Sequence, residues 1–539
     1  MTSGSVPGFG WIDWTVLAAY LLGTSWLADR LAGSRQTIRD FFLGGRRLPW
    51  WAVAGSIVAC EVSGATFVSV PLVAFKGDWT FLMLGLGSVA ARLLIAWKLV
   101  PAYYEMEIYS PYEFVGKRLG PEVDRVATLL FFVGSLLAQG VRLFLAALVL
   151  DVITGMGVVG AIAAIGGVSV VWTWLGGINS VVWTDVVQFV ILFVGGVTAL
   201  VAVGWVVPGG WSAILAEGSA AGKFKALELS TDPRKAYTLW AGLFGFTFLT
   251  LASHGTDQNM AQRLFCCRGI AEARKAIVAS SVSQLMPVLM LAVGTGIWAY
   301  YRPRAAAPAP DDTLLPMFVL EAMPTGVKGL LFAAIFSAAT ATGTLSAMAQ
   351  TALTGFYKPL IRPGASEEHY LKMSRVFVLL AAVGLCATAT LCVWLRKQYP
   401  SIVDLALASA GYTYGALLGM LLLALRPGGR DARGLLWAVP LSMLLVIALN
   451  WNHTLEGKGV ALGGAATAAL AGMLALAREP LKIPFLLLGA AAVAAVALGG
   501  WKLAFPWHFP LGTAMTFGLG LALGRRTLDK APPAAIIQA

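Results

Sequence analysis

The segment Pro49–Phe67 reads PWWAVAGSIVACEVSGATF, an apolar run with an unusual polar cluster in its second half. Glu61, Ser63, Gly64 and Thr66 fall within six positions. An ionisable side chain at membrane depth is costly unless it faces a partner or a cavity, and glycine weakens a helix locally. We therefore predict a discontinuous membrane helix whose freed carbonyls can bind a cation. Close helix packing by the small residues is the alternative.

The composition places most of the chain in a membrane. Of the 539 residues 58% are hydrophobic and 12% are charged, whereas soluble domains carry about 25% charged residues. Because backbone groups in lipid must hydrogen-bond within their own segment, each long apolar stretch is expected to be a helix. We predict an all-α integral membrane protein with 13–15 transmembrane helices. The predicted spans are 11–31, 50–75, 80–104, 124–154, 157–176, 180–206, 237–257, 275–301, 325–357, 372–395, 401–425, 434–450, 459–476, 482–501 and 507–524.

The basic residues predict the orientation. With these spans, one set of loops and span edges holds 22 of the 39 Lys and Arg residues, the other set holds 11, and six lie in or at the ends of spans. The richer side faces the cytoplasm, so the N-terminus is expected outside and the C-terminus inside the cell inner membrane. The net charge of +12 is then explained by orientation rather than by nucleic-acid binding.

Several other classes of protein are disfavoured. Residues 1–10 carry no basic run and do not resemble a cleaved signal peptide. The five cysteines show neither a disulfide framework nor metal-site spacing. The sequence has no Walker-type phosphate loop and no room for an attached soluble domain, so ATP is not the expected energy source.

The ninth span is rich in hydroxyl side chains. They are Ser337, Thr340, Thr342, Thr344 and Ser346. Hydroxyl oxygens are hard, neutral ligands that suit a small monovalent cation, but they can equally bond to their own backbone while small residues pack closely. The residues alone leave both interpretations open.

Three further ionisable residues lie in or near spans. Arg142 lies in the middle of the fourth span, where its guanidinium either binds a substrate carboxylate or pairs with Glu61 or a backbone carbonyl. Arg92 poses the same question, and its place nearer the cytoplasmic half favours a structural role. Asp185 is either a cation way-station or a carboxylate favoured by a helix dipole, and the residue alone favours the second. His254 is expected to be structural.

Seven segments carry a common pattern in the same order. They are Asp40–Trp51, Ser63–Phe67, Ser110–Gly120, Gly176–Gln188, Gly255–Arg263, Leu315–Ala334 and Phe505–Thr513. Together they resemble the sodium:solute symporter family, which includes sodium/glucose, sodium/proline, sialic acid and monocarboxylate carriers. The resemblance covers residues 10–430 and the final span.

The resemblance implies the LeuT-type fold, in which one extra helix precedes two inverted five-helix repeats. We expect an N-terminal helix and loop at 1–49, the first repeat at 50–206 and an extracellular loop at 207–236. The second repeat follows at 237–430, and additional helices occupy 431–539. Five helices per repeat invert the second one, in agreement with the charge count.

The resemblance also implies a main sodium site between the broken second span and the ninth span. Its expected ligands are the carbonyls of Ala59 and Val62 with Ala338, Ala341 and Thr342. The family usually has adjacent hydroxyls where Ala341 and Thr342 align, and a shift of two residues would give Ala339 and Thr340 instead.

Further roles follow by position. Glu61 aligns with an aspartate that some members use in sodium coupling, and Asp185 is similar to a residue on the inner sodium path. Ser63, Thr66 and Arg142 align with substrate positions of the sialic acid branch, and the pairing of Thr66 with Phe67 also favours carboxylate carriers.

The expected function is sodium-coupled symport, without enzymatic activity, of a small anionic solute of the sialic acid or monocarboxylate type. The sodium ion is co-transported, and alternating access moves both ligands. The alternatives are a sugar or amino-acid symporter of the same fold, a proton-coupled carrier using Glu61, or a membrane sensor or channel.

Overall fold

The computed structural model describes residues 9–31, 37–62, 64–304, 313–337, 342–395, 402–426, 430–431, 434–451, 454–477 and 479–526. These residues are helical almost throughout, as predicted. The strands in this part of the chain are β1 (Arg430–Asp431) and β2 (Arg525–Arg526), which form a short antiparallel pair.

The helices of the first half follow one another closely. They are α1 (Trp11–Arg30), α2 (Ile38–Leu43), α3 (Trp50–Glu61), α4 (Gly64–Lys76), α5 (Met83–Leu94), α6 (Val100–Glu105), α7 (Pro111–Leu119), α8 (Pro121–Thr154), α9 (Val158–Val206) and α10 (Gly210–Ala220). The 3-10 turns Gly44–Arg46 and Thr80–Leu82 follow α2 and precede α5, and a π-helical turn at Ile95–Leu99 joins α5 to α6.

The second half of the chain is also built from helices that follow one another along the sequence. Its helices are α11 (Thr247–Gly255), α12 (Gln258–Phe265), α13 (Ile270–Ala279), α14 (Leu285–Tyr301), α15 (Leu314–Ala322), α16 (Val327–Ser337), α17 (Thr342–Thr351), α18 (Glu367–Leu395), α19 (Ile402–Ala424), α20 (Leu435–Trp451), α21 (Leu455–Ala475), α22 (Ile483–Gly499) and α23 (His508–Leu523). The π-helical segments Ala241–Phe246 and Ala352–Ile361 extend α11 and α17, and 3-10 turns lie at Ser280–Gln284, Pro480–Lys482 and Phe505–Trp507.

Within the described residues, seven helical runs are long and apolar enough to cross a membrane, and the bent pair α3–α4 makes an eighth. The seven are Thr80–Glu105, Pro121–Thr154, Gly177–Val206, Ile270–Tyr301, Glu367–Trp394, Leu455–Ala475 and Pro480–Gly499. Shorter apolar helices accompany them, and each predicted span overlaps at least one of the helices named above. The chain is therefore a multi-pass membrane protein. The predicted 13–15 spans count the short and broken helices together with the long ones.

The second predicted span is broken where its sequence changes. Trp50–Glu61 and Thr66–Lys76 meet at 56°. Val62, with φ −72° and ψ 89°, leaves the helical conformation directly after α3. The discontinuous helix predicted from Glu61–Thr66 is thus confirmed.

Glycine makes a second break inside α9. Gly177 has φ +59° and ψ −156°, which is a left-handed conformation that other residues rarely adopt. A Cβ atom at this position would lie 2.6 Å from the carbonyl oxygen of Phe41 on α2. The kink separates the fifth and sixth predicted spans without a loop.

The helices around the broken span form two packed groups. The first group contains α3, α5, α11, α12 and α13, which pack on one another, and the packed pair α4–α14, which is joined to them along the chain at the break and at the turn after α13. The second contains α8, α9, α16, α17, α18 and α19. The groups are joined by contacts of α3 and α14 with α9, of α4 with α8 and α16, of α11 with α19, and of α12 with α17. Helices α20–α23 pack on one another and, through α20 and α23, on α19.

Candidate functional site

The broken end of α3 offers backbone oxygens at the centre of the protein. Ala59 and Val62 are both buried, and the Val62 N–H still donates to the carbonyl of Val58 at 2.8 Å. Because the helix ends at Glu61, the last carbonyls of α3 have no continuing turn to receive them. Ser63 lies outside the described residues.

The opposite wall belongs to the ninth predicted span. Helix α16 ends at Ser337 and α17 begins at Thr342. Of the sodium ligands predicted on this side, Thr342 is the one whose backbone the structure describes. Ala338 and Ala341, together with the alternative pair Ala339 and Thr340, lie outside the described residues.

Asn259 connects the two walls, and sequence reasoning did not single it out. Its side-chain amide donates to the Cys60 sulfur at 3.0 Å and to the Thr344 hydroxyl at 3.3 Å. It therefore joins the last turn of α3 to the first turns of α17. The available signal was the polar run Asp257–Arg263, which forms the short buried helix α12 rather than a simple helix exit.

Asp185 forms a buried ion pair that the sequence did not reveal. Its Oδ2 accepts from the Arg263 guanidinium at 2.8 Å and from the Ser56 hydroxyl at 2.5 Å. The side chains of Arg263 and Asp185 are 1% and 4% exposed. Arg263 also donates to Ser56 at 2.8 Å and to both oxygens of Asn259. Asp185 is therefore neutralised in this state, and the pair links α9 of the second group to α3 and α12.

Gly343 lets the Arg263 guanidinium lie against α17. A Cβ atom on residue 343 would overlap this guanidinium and would lie 2.8 Å from the Asn259 side-chain oxygen. Because Arg263 is held by hydrogen bonds on several sides, it has little freedom to move away. The absence of a side chain at Gly343 is thus part of the junction between α12 and α17.

Glu61 also has a buried arginine partner. Its carboxylate accepts from Arg92, which is fully buried, and from the Gln284 amide at 3.3 Å. The remaining donors of Arg92 point to a ring of polar groups, namely Ser88, Ser280, Ser283 and His254. All of these residues lie in the first helix group or its connecting 3-10 turn. The geometry agrees with the structural roles expected of Arg92 and His254.

Of the three arginines near the break, Arg142 makes the fewest hydrogen bonds with the described residues. Its guanidinium donates to the Cys60 carbonyl at 3.3 Å, and its side chain is partly exposed. Of the two structural partners considered from the sequence, the structure shows the backbone carbonyl and not Glu61. Arg142 is also near enough to the Asp257 carboxylate for the two charges to interact, and Tyr414 donates to that carboxylate at 2.6 Å.

The other two predicted solute residues lie in the first turns of α4. Thr66 is partly exposed, whereas Phe67 is 1% exposed. The Phe67 ring reaches towards Gly195 on α9, where a Cβ atom would lie 3.7 Å from it. Phe67 therefore packs between the two helix groups.

Amide side chains close one end of this region. Gln262 donates to the Phe42 carbonyl at 2.9 Å and to the Ser346 hydroxyl at 3.1 Å. Gln258 donates to Gln350 at 2.7 Å, and the Leu48 N–H donates to the Cys266 carbonyl at 3.1 Å. By the predicted orientation, these bonds lie at the inner ends of both helix groups and connect them.

Comparison with known proteins agrees with this architecture. The sequence profile of the sodium:solute symporter family matches residues 41–441. The sodium/sialic acid symporter SiaT of Proteus mirabilis is 26% identical over 474 residues, which are 86% of this chain and 94% of that protein. The human sodium-coupled monocarboxylate transporter 2 is 28% identical over 429 residues, which are 77% of this chain and 68% of that protein.

A solved structure shares the fold. It is the substrate-bound outward-open state of a Na+-coupled sialic acid symporter, with a TM-score of 0.76 and 24% sequence identity. The match covers 95% of this chain and 97% of that chain. The arrangement of helices is therefore LeuT-type, as the broken span and the kinked α9 indicated. With three quarters of its length matched by the family profile, the chain belongs to the sodium:solute symporter family.

Proposed function

We propose that this sodium-coupled symporter carries a small organic carboxylate, and that Arg142 binds the carboxylate group. Sodium binds between the broken end of α3 and the start of α17. The solute lies beside the break, within reach of Arg142, Ser63 and Thr66, with Phe67 packed behind Thr66.

The observation that carries the proposal is the difference between Arg142 and the other two arginines. Arg92 and Arg263 are both buried, and each is paired with a carboxylate. Arg142 has no carboxylate within 4.0 Å among the described residues, and its side chain is partly exposed. A guanidinium has five donors in a fork that matches a carboxylate. A solute carboxylate would complete the hydrogen bonding that the protein leaves open.

The names of two of the relatives point the same way. The bacterial relative carries sialic acid and the human relative carries monocarboxylates, and both of these substrates contain a carboxylate. A sugar or neutral amino-acid substrate would give the open guanidinium no anionic partner.

For sodium, we retain the carbonyls of Ala59 and Val62 with Ala338, Ala341 and Thr342 as the proposed ligands. Neutral oxygens of this kind suit a hard monovalent cation. Glu61 and Asp185 are proposed for a secondary cation path, but each is occupied by an arginine in this state. A secondary role therefore requires Arg92 or Arg263 to move.

The wider arrangement follows from the fold. We propose an inner-membrane location with the N-terminus outside and the C-terminus in the cytoplasm, because of the positive-inside bias. The first and second helix groups, each of which contains helices from both predicted repeats (50–206 and 237–430), would then move relative to each other and expose the site alternately to the two sides. The helices at 431–539 take no part in this movement.

Thermal unfolding of the purified protein tests the proposal. Ligands that bind the folded state stabilise it by about 2.7 kcal/mol at one hundred times their Kd. We expect carboxylates to raise the melting temperature only when sodium is present, and the matching amides to have no effect. Arg142→Ala should abolish the carboxylate response. Arg125→Ala, an exposed position on the same helix, is the control and should retain it.

Proton coupling through Glu61 is separated by uptake measurements. Uptake into proteoliposomes should follow an inward sodium gradient and vanish in choline buffer. Uptake that continues in choline and follows a proton gradient would refute sodium coupling.

A further inference from the structure

Two buried charges hold the outer ends of the helices that flank the proposed sodium site. Helix α4 runs from the break at Gly64 to an outer end at Lys76, and α16 runs from an outer end at Val327 to Ser337. Their inner ends border the proposed sodium ligands. What fixes their outer ends therefore affects the geometry of the site.

Lys223 closes the outer end of α4. Its ammonium donates to the carbonyls of Ala74, Phe75 and Gly77 at 3.1, 2.8 and 2.9 Å. These oxygens lie at the C-terminus of the helix, where carbonyls lack partners within the helix and a cation complements the dipole. The residue is 8% exposed, and its ammonium lies 5.0 Å from the centre of the Trp298 ring. Burial lowers the pKa of Lys223, and the nearby Asp78 opposes that shift.

Asp13 closes the outer end of α16 with the opposite charge. Its Oδ1 accepts from the backbone N–H groups of Gly326 and Gly329 at 2.7 and 2.8 Å. Its Oδ2 accepts from Gly10 at 2.9 Å, and the residue is fully buried. A carboxylate at a helix N-terminus satisfies free N–H groups and complements the dipole. The helices touch here, because a Cβ on Gly329 would lie 2.7 Å from the Asp13 Cα.

Both charges come from outside the two predicted repeats. Asp13 belongs to the extra helix α1, and Lys223 belongs to the connecting loop 207–236. A helix of 13 residues, such as α4, is a rod of about 20 Å, so a tilt at its outer end displaces its inner end. The same holds for the shorter α16.

We propose that Asp13 and Lys223 are positioning residues for sodium binding, which clamp the outer ends of α16 and α4 so that the ligands at their inner ends stay in register. The inference rests on the proposed sodium site. The extra helix and the loop are thereby functional parts of the carrier and not only connections.

The test compares each clamp with an exposed residue of the same type nearby. Asp13→Asn and Lys223→Met are the clamp variants. Asp29→Asn on α1 and Lys225→Met in the loop are the controls, since Asp29 is exposed and the Lys225 side chain is 52% exposed. The sodium concentration for half-maximal effect is measured by uptake in proteoliposomes and by thermal shift in detergent. We expect about a tenfold increase for each clamp variant, which corresponds to about 1.4 kcal/mol, and no change for the controls.

A purely structural role predicts a different result. It would lower the amount of folded carrier and the maximal rate together, without changing the sodium requirement of the molecules that remain. That result would overturn the proposal, as would equal shifts in the controls. Lys223→Arg keeps a cation with several donors and should restore most of the sodium affinity. If the unmodified protein shows no sodium dependence, the proposed function fails; a normal wild type with unchanged clamp variants overturns the clamps alone.

Discussion

Two carboxylate–arginine pairs among the described residues have a fully buried arginine and the same chemistry but join different parts of the fold. Glu61–Arg92 connects α3 to α5, and the polar groups around it belong to the same helix group. Asp185–Arg263 connects α9 to α12 and, through Ser56, to α3. The first pair therefore lies within one group of helices, whereas the second lies between the two groups.

The difference shows that a buried ion pair has no fixed role. In alternating access, one group moves against the other while each group keeps its internal packing. Glu61–Arg92 lies within one group, so a movement between the groups does not by itself break it, and it can stabilise the assembly. We expect Asp185–Arg263 to loosen when the groups separate at this end, and thus to stabilise one state of the cycle over the other.

Loss of Arg92 should have the largest effect on stability. Arg92→Ala leaves the partly buried Glu61 carboxylate without its cation, and breaking a fully buried pair costs about 3–5 kcal/mol. We expect a marked fall in melting temperature and in the yield of folded protein. Combining Glu61→Gln with Arg92→Met removes both charges and should recover much of the loss. A stable Arg92→Ala protein that has only lost transport would contradict the assembly role.

Loss of the Asp185 charge should affect transport more than stability. Asp185→Asn weakens hydrogen bonds to a charged group worth about 1.5–3 kcal/mol, but only in the state that contains them. A shift of about 1.4 kcal/mol between states changes their ratio tenfold. We expect at least a tenfold lower initial rate of uptake, with a smaller loss of melting temperature than in Arg92→Ala.

The opposite ranking of the two variants would contradict the roles assigned to the two ion pairs. If Asp185→Asn unfolds the protein while Arg92→Ala only slows uptake, the between-group pair is the structural one. Melting temperature and initial rate must therefore be measured on the same preparations.

The sequence predicted the broken span but not the partners of its charges. The rarity of Glu61 and the adjacent glycine located the break, because local composition controls helix continuity. Arg92 and Arg263 lie 31 and 78 residues from the carboxylates they bind, and no local pattern encodes that approach. Asn259 was missed for the same reason, since its role depends on the meeting of α3 and α17. The ninth-span ligands Ala338 and Ala341 stay predictions.

A methyl group on Gly343 tests whether transport requires Arg263 to keep its position. Gly343→Ala places an atom against the Arg263 guanidinium, and overpacking of this kind costs about 1–3 kcal/mol. We expect it to impair uptake in the manner of Asp185→Asn, because the displaced group is the same. Gly463→Ala is the control, since a Cβ there meets no atom within 4 Å. A normal rate of uptake for Gly343→Ala would show that Arg263 can move freely.

The smallest effect is expected from Asn259, which belongs to the same between-group region but carries no charge. Asn259→Ala removes neutral hydrogen bonds to Cys60 and Thr344 and one of the two Asn259 oxygens that accept from Arg263; the neutral bonds have a net contribution of about 1 kcal/mol, or about fivefold in an affinity. Because these bonds connect the two walls of the proposed sodium site, the loss should appear in the sodium concentration for half-maximal uptake. Asn450→Ala, whose amide bonds only to the backbone of α20 in the described structure, should leave it unchanged. A lower melting temperature without a change in the sodium requirement would contradict this role. Asn259 would then stabilise the packing of the helices, as Glu61–Arg92 does, without affecting sodium binding.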